Sequence, residues 1–190
     1  MKKLFLLGIL FLAGIHSFSQ KTISCVIKTE FGDIFIELYP EQAPVTVSNF
    51  MRYVDNDLYR NTKFFRVCTP ENEAERDIKI QVIQVDEISA EKMFDPIPIE
   101  TTQQTKLLHK NGTLSMARAE PNSAQCSFSI IINDQPELDF NGKRNPDGQG
   151  FAAFGQVTKG MDIVLKIQTQ ANVNQILVKP ILIYNIQRMD

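Results

Sequence analysis

One arginine stands in the middle of an apolar strand pattern. Arg66 lies within Thr62-Lys63-Phe64-Phe65-Arg66-Val67-Cys68, whose alternation reads as a β-strand. Residues two apart on a strand share a face, so the pattern groups Phe64, Arg66 and Cys68. A guanidinium keeps its charge and is rarely buried alone. It is therefore solvated, paired with a carboxylate, or held at a pocket wall as a fixed donor for a ligand. Other reactive side chains are few. The sequence has two histidines, His16 and His109, too few for a multi-histidine metal site and a weak basis for a His-based triad. Cys25, Cys68 and Cys126 show no CxxC spacing. They allow one disulfide with a thiol left over, or serve as small buried apolar residues. Asp139, Asn141, Asn145 and Asp147 gather oxygen donors in one stretch, but the glycine and final glutamate of an EF-hand loop are missing. Asn111-Gly112-Thr113 fits a glycosylation acceptor, and a tight turn explains it equally well.

The elements that would position these residues are mostly short strands. Ile23 to Thr29 and Ile34 to Leu38 form a hairpin across Glu30-Phe31-Gly32-Asp33. Pro44 opens a helix whose Val47, Phe50, Met51, Val54 and Leu58 recur at helical spacing. After the Arg66 strand, Thr69 to Asp77 is charged and reads as an exposed loop. Ile78 to Val85 reads as a strand with Ile80, Val82 and Gln84 on one face. Asp86 to Lys110, with Pro96 and Pro98, has little periodicity and is expected to wrap the surface. Thr113 to Ala117, Cys126 to Ile132, Ala152 to Val157 and Ile181 to Ile186 complete the strands. A helix after Gly160 turns Met161, Val164, Leu165 and Ile167 inward. Short strands with frequent turn signals suggest a closed barrel or a sandwich, and two isolated helices suit the open ends of a barrel. Large inward residues such as Phe50, Leu114 and Phe128 argue against a hollow ligand-carrying barrel.

The chain has 190 residues, enough for one domain with a full core. Met1-Lys2-Lys3, the apolar run Leu4 to Ala13 and the small residues Ser17 and Ser19 read as a secretory signal peptide over residues 1–19. The domain then spans 20–190. Residues 1–19 hold two of the 20 Lys and Arg and none of the 22 Asp and Glu, so the mature net charge is about −4. Nucleic acid is a poor partner for such a chain. No later stretch reaches membrane-spanning length, and a periplasmic or secreted location is expected.

The order of motifs resembles the cyclophilin family of peptidyl-prolyl cis-trans isomerases. Gly32-Asp33-Ile34-Phe35-Ile36-Glu37-Leu38, Ala43-Pro44 and Asn49-Phe50 are similar to its first hairpin and helix. Phe64-Phe65-Arg66-Val67 is similar to its Phe-His-Arg-Val strand. Gly112 to Ala119 with Pro121-Asn122-Ser123 follows its Gly-x-Leu-Ser-Met-Ala stretch. Leu138-Asp139, Gly142-Lys143, Phe154-Gly155-Gln156-Val157 and Gly160-Met161 match its last third. The resemblance covers about Thr22 to Gln187 and implies a closed, eight-stranded antiparallel β-barrel capped by two α-helices.

It also implies a site and a reaction. Arg66 takes the place of the family's catalytic arginine, and Gln84 fits the glutamine beside it, with Gln81 as the alternative. Phe64, Val82, Ala117, Arg118, Ser127, Ser129, Leu138 and Phe151 fall at substrate-binding positions. Several depart from the family pattern. Val82 replaces a methionine, Arg118 an asparagine, Ser127 a glutamine, Ser129 the phenylalanine that floors the proline pocket, and Phe151 a histidine. An X-Pro amide resists rotation by about 20 kcal/mol because of its resonance. A donor that meets the proline nitrogen only when the amide is twisted lowers that barrier, with no cofactor or metal. Proline-containing peptides and folding proteins are the expected partners, bound by a monomer. The alternative is a cyclophilin-fold peptide-binding module with little turnover.

Overall fold

The computed structural model describes residues 21–189, so the expected signal peptide lies outside the described residues. Among the described residues nine strands form the sheet: β1 (Ile23–Thr29), β2 (Gly32–Leu38), β3 (Lys63–Cys68), β4 (Val82–Val85), β5 (Thr113–Met116), β6 (Phe128–Ile131), β7 (Ala153–Lys159), β8 (Asn172–Val173) and β9 (Ile176–Arg188). Eight of them close in the order β1-β2-β7-β5-β6-β4-β3-β9, with β9 pairing back onto β1. The closure leaves no open edge within the ring. The two-residue β8 lies outside it, paired only with β9. All the pairings are antiparallel.

The barrel is filled rather than hollow. Phe50 enters from α1 (Pro44–Asp55) and meets Tyr59, Phe128 and Phe154 with ring centroids 5.2–5.4 Å apart. Offset and edge-on rings at this spacing pack densely and add attraction beyond area burial. The start of α1 has no side-chain cap of its own at Ala43. Glu100 supplies one from a distance. Its carboxylate accepts from the Val45 and Thr46 amides at 3.1 and 2.8 Å and from the Thr46 hydroxyl at 2.6 Å, answering the unpaired N–H groups and positive end of the helix. The segment 86–110 thus wraps the barrel with a purpose. It also carries a third helix, the one-turn α2 (Thr102–Thr105), which the sequence reading lacks. The last helix, α3 (Met161–Gln168), buries Val164 and Ile167. Leu165, expected inward, faces solvent because its position falls off the buried stripe.

Several boundaries differ from expectation for physical reasons. Residues 78–81 are not strand; only Val82–Val85 pairs, with β3 and β6. The final strand starts at Ile176 rather than Ile181, because Lys179 and Pro180 continue it despite the proline. A register shift near its end turns Ile186 inward. The stretch 69–77 is not a fully exposed loop. It folds back on itself, with Glu73 N–H donating to Thr69 O, and it buries the Glu73 side chain completely.

Candidate active site

Arg66 reaches the wall of a cavity of about 210 Å³. The walls come from β3, β4, β5 and β6 and from two loops, 69–81 and 136–151. Val82, Leu138, Ile80 and Ile131 form a small apolar cluster, separate from the barrel core, against which Phe151 packs. Ser115, Ser129, Ala117 and Arg118 complete much of the lining.

The Arg66 guanidinium is oriented by two neutral amides. Nη1 donates to Gln84 Oε1 at 2.8 Å, and Nε and Nη2 donate to Gln175 Oε1 at 2.8 and 2.5 Å. Three of its five N–H groups are used, so each Nη keeps one. Gln84 is itself fixed. Its Nε2 donates to Ser127 Oγ at 3.2 Å, and the Ser127 hydroxyl donates to Val85 O at 2.6 Å. Because that hydroxyl proton is already committed, Ser127 can only accept from Gln84, which aims Gln84 Oε1 at Arg66. Between the two glutamines weighed from sequence, the geometry selects Gln84. Gln81 faces away, its Oε1 accepting from Asn133 Nδ2 at 3.3 Å.

Gln175 is the residue that sequence reading missed. It sits with Asn174 at the tip of the β8–β9 hairpin, both at positive φ (50° and 74°). That is the turn geometry of a two-residue hairpin, which favours glycine at the second position. A glutamine there is strained by roughly 1–2 kcal/mol. The tip is pinned twice to β3, by Val67 N–H donating to Gln175 O at 2.8 Å and by the Arg66 side chain. Gln175 Nε2 then donates to Glu73 Oε1 at 3.3 Å. The only sequence signal for this residue is Asn-Gln between two β-prone runs, a weak one.

Glu73 anchors the loop wall. Its oxygens accept from Arg144 Nη1 and Nη2 at 2.9 and 2.5 Å and from Ile80 N–H at 2.8 Å. Burial alone would raise its pKa; the Arg144 and Ile80 hydrogen bonds and the nearby Arg144 and Arg66 charges outweigh burial and hold it below the ordinary carboxylate value.

Arg118 is the opposite of Arg66. Its side chain is 2% exposed. It forks onto Asp147 at 2.8 and 2.9 Å, donates twice to Gly150 O at 2.8 and 2.6 Å, and lies 5.1 Å from the Phe151 ring centre. Gly150 is required there: its φ is 65°, and a Cβ would stand 2.5 Å from Leu138 O. Arg118 and Phe151 therefore build the cavity wall together, and the polar end of Arg118 holds the loop 147–150.

The remaining candidates divide. Val82, Ala117, Ser129, Leu138 and Phe151 all line the cavity. Ser127 lines the adjacent groove, which shares Gln84, Ala117 and Arg118 with it. Phe64 does neither. A register shift between Phe64 and Arg66 breaks the two-residue alternation, and Phe64 packs, fully buried, in the barrel core. The face expected to be shared by Phe64, Arg66 and Cys68 is thereby corrected for Phe64 alone; Arg66 and Cys68 keep a common side and both reach Gln175 Oε1.

Of the other reactive groups singled out first, His16 lies outside the described residues. Asp139 accepts from the His109 backbone and Nδ1 at 3.0 and 2.7 Å, and His109 Nε2 lies 2.8 Å from Ser115 Oγ. With Nδ1 donating to Asp139, Nε2 accepts the serine hydroxyl. A Ser–His–Asp chain thus forms despite the scarcity of histidines, and it ties β5 under the cavity to the Leu138 segment. Asp139 and Asp147 are engaged with His109 and Arg118, and among the described residues no cluster suited to a metal ion is found. The three cysteines are free and buried. Burial pushes the Cys25 and Cys68 thiols up to about 11. Asn111 and Gly112 form a turn, with Gly112 at φ 86° and Asn111 Oδ1 accepting from Asn133 N–H.

Comparison with known proteins agrees with this arrangement. Residues 24–188 match the family model described as cyclophilin type peptidyl-prolyl cis-trans isomerase/CLD. The chain is 38% identical over 142 residues to a peptidyl-prolyl cis-trans isomerase of Acinetobacter baylyi, covering 74% of this chain and 69% of that one. It is 35% identical over 141 residues to peptidyl-prolyl cis-trans isomerase B of Escherichia coli, covering 74% and 80%. Among solved structures, a cyclophilin type isomerase of Cryptosporidium parvum superposes with a TM-score of 0.72 at 20% identity, covering 90% of this chain and 99% of that one. The same protein in the presence of the dipeptide Ala-Pro gives 0.70 at 21% identity, covering 88% and 99%. With a closed antiparallel barrel, an amide-held arginine beside a small cavity that contains an apolar cluster, and relatives of this kind, the chain belongs to the cyclophilin-type peptidyl-prolyl cis-trans isomerase family.

Proposed function

We propose that this isomerase is exported and acts, as a monomer, on X-Pro bonds of proteins folding outside the cytoplasm, with Arg66 as the catalytic donor. The observation that carries the mechanism is the state of Arg66: a charged donor, aimed by Gln84 and Gln175, with spare N–H groups beside a cavity of proline size. A proline ring among Val82, Leu138 and Phe151 would bring its amide to the guanidinium. In the planar amide the nitrogen lone pair is delocalised; in the twisted state it is localised and basic. A donor that bonds to it only then stabilises the transition state over the ground state. Arginine suits this because its fork cannot deprotonate and is rigid.

Arg66→Ala is expected to lower kcat/KM about 100- to 1000-fold in NMR exchange on an X-Pro peptide, with an unchanged circular dichroism spectrum. Activity within a few-fold of the parent would sink the mechanism. Export rests on the reading of residues 1–19. Sequencing the mature amino terminus after expression in a bacterium, with the chain recovered outside the cytoplasm and starting near Gln20, would support it. Uncleaved cytoplasmic protein would oppose it.

A second reading has its own observation. Ser129 stands at the cavity floor where the family resemblance implies a phenylalanine, so the grip on proline is altered. A domain that binds X-Pro peptides without accelerating exchange would be a binding module.

A further inference from the structure

Four arginines line the cavity, Arg66, Arg76, Arg118 and Arg144, and among the described residues no aspartate or glutamate does. Two carboxylates stand behind them. Asp147 is held by Arg118 through both oxygens. Glu73 is held by Arg144 through both of its oxygens and also accepts from Ile80 N–H and Gln175 Nε2. Arg76 reaches Glu73 only at 3.9 Å and its side chain is 58% exposed. The partners of Arg66 are neutral amides. Two positive charges are therefore left over at the mouth, on Arg66 and Arg76, in a chain that is acidic overall. Charge of one sign lining a concave, low-dielectric wall focuses the field on whatever enters.

We propose that the cavity rim is a carboxylate subsite, in which Arg76 selects X-Pro segments carrying an aspartate or glutamate beside the proline. The inference rests on the reading of the cavity as the proline site. Arg66 addresses the amide, and Arg76, on the loop 69–81 of the same wall, meets the neighbouring acidic side chain. Its weak tie to Glu73 and its exposure leave the guanidinium able to turn to a ligand. Asn145 lines the cavity as well and offers an amide donor. The polar floor, Ser115 and Ser129, tolerates such a segment better than an aromatic floor would.

The test uses matched peptides with one X-Pro bond and alanine, glutamate or lysine at the flanking positions. Both kcat/KM, by NMR exchange, and Kd, by chemical-shift titration, are measured at low salt. The best-placed glutamate peptide should show about fivefold higher kcat/KM and about fivefold lower Kd than its lysine counterpart, and the gap should narrow as salt is added. Arg76→Glu should bring the ratio to one or below. Arg60→Glu, the same charge change at a residue outside the cavity that pairs with Asp57, should leave the ratio intact. Equal values for the two peptides at every position, or a preference that survives Arg76→Glu, would overturn the proposal. The two readings fail differently. Normal exchange without charge preference removes the subsite and spares the isomerase mechanism. Charge-selective binding without exchange keeps the subsite and removes the mechanism.

Discussion

Arg66 and Arg118 line the same cavity and have opposite fates. Arg118 is surrounded by formal and partial negative charge, with Asp147 bidentate and Gly150 O between two of its nitrogens. Four of its five N–H groups are committed, and Asp147 balances its charge. Arg66 meets only amide oxygens, and its nearest carboxylate, Glu73, is kept one residue away by Gln175. A carboxylate in direct contact would neutralise Arg66 and occupy its donors; an amide orients it and leaves the charge in place. What separates a structural arginine from one left free to act as the proposed donor is here the identity of the partner rather than burial or position on the sheet.

The largest effect expected from disturbing the contrast is on folding, at Arg118. Arg118→Ala leaves Asp147 and Gly150 O without their main donor and uncovers Phe151, and should destabilise the domain by about 3 kcal/mol. Urea denaturation should show this as a lower midpoint at constant slope. Arg66→Ala, by contrast, should move the midpoint little while removing activity. If the two substitutions gave the same pattern, the division of roles would be wrong.

How far this contrast could be read beforehand differs between the two residues. The barrel was legible because its signals are local: turn dipeptides such as Asn111-Gly112, alternation along β1 and β2, and the stripe on α1. The order of motifs also placed Arg66 and Gln84, and the pairing of Arg66 with Gln84 across β3 and β4 follows from strand register. The partners that decide the roles were not legible. Arg118 to Asp147 spans 29 residues, Arg66 to Gln175 spans 109, and Arg144 to Glu73 spans 71. Each joins a strand to a loop or one loop to another, where no periodicity constrains direction. Phe64 shows the converse failure: the alternation is correct as a local rule, and one register shift on β3 cancels it.

Glu73 gives the next effect. Replacing it with glutamine leaves Arg144 buried without a counter-charge and should cost about 2 kcal/mol at neutral pH. The pH dependence has a definite sign. The folded-state pKa of Glu73 lies below its ordinary value of 4.5. Its contribution is therefore fully present above that value and is lost as pH falls through the lower folded value. Thermal midpoints of the parent and of Glu73→Gln, followed from about pH 7 to pH 3, should converge on the acid side. A gap that stays constant across the range would show that the Glu73 charge does not support the loop wall.

The smallest effect separates positioning from stability most cleanly. Gln175 occupies a left-handed conformation that glycine adopts without strain, at the second turn position after Asn174. Gln175→Gly should therefore relieve the turn and raise stability by about 0.5–1 kcal/mol. The same change removes the amide oxygen that accepts from Arg66 Nε and Nη2, along with the amide that keeps Glu73 away from the guanidinium. Arg66 then loses two of its three hydrogen bonds and can swing toward the carboxylate. About a tenfold fall in kcat is expected, with a smaller change in KM, since a mis-aimed donor is felt chiefly in the transition state. A glutamine kept only to shape the hairpin predicts a different pattern, lower stability and unchanged kcat. A more stable and slower enzyme would mean that the strained turn is retained because its side chain holds Arg66, the proposed donor, apart from the buried Glu73 that could neutralise it.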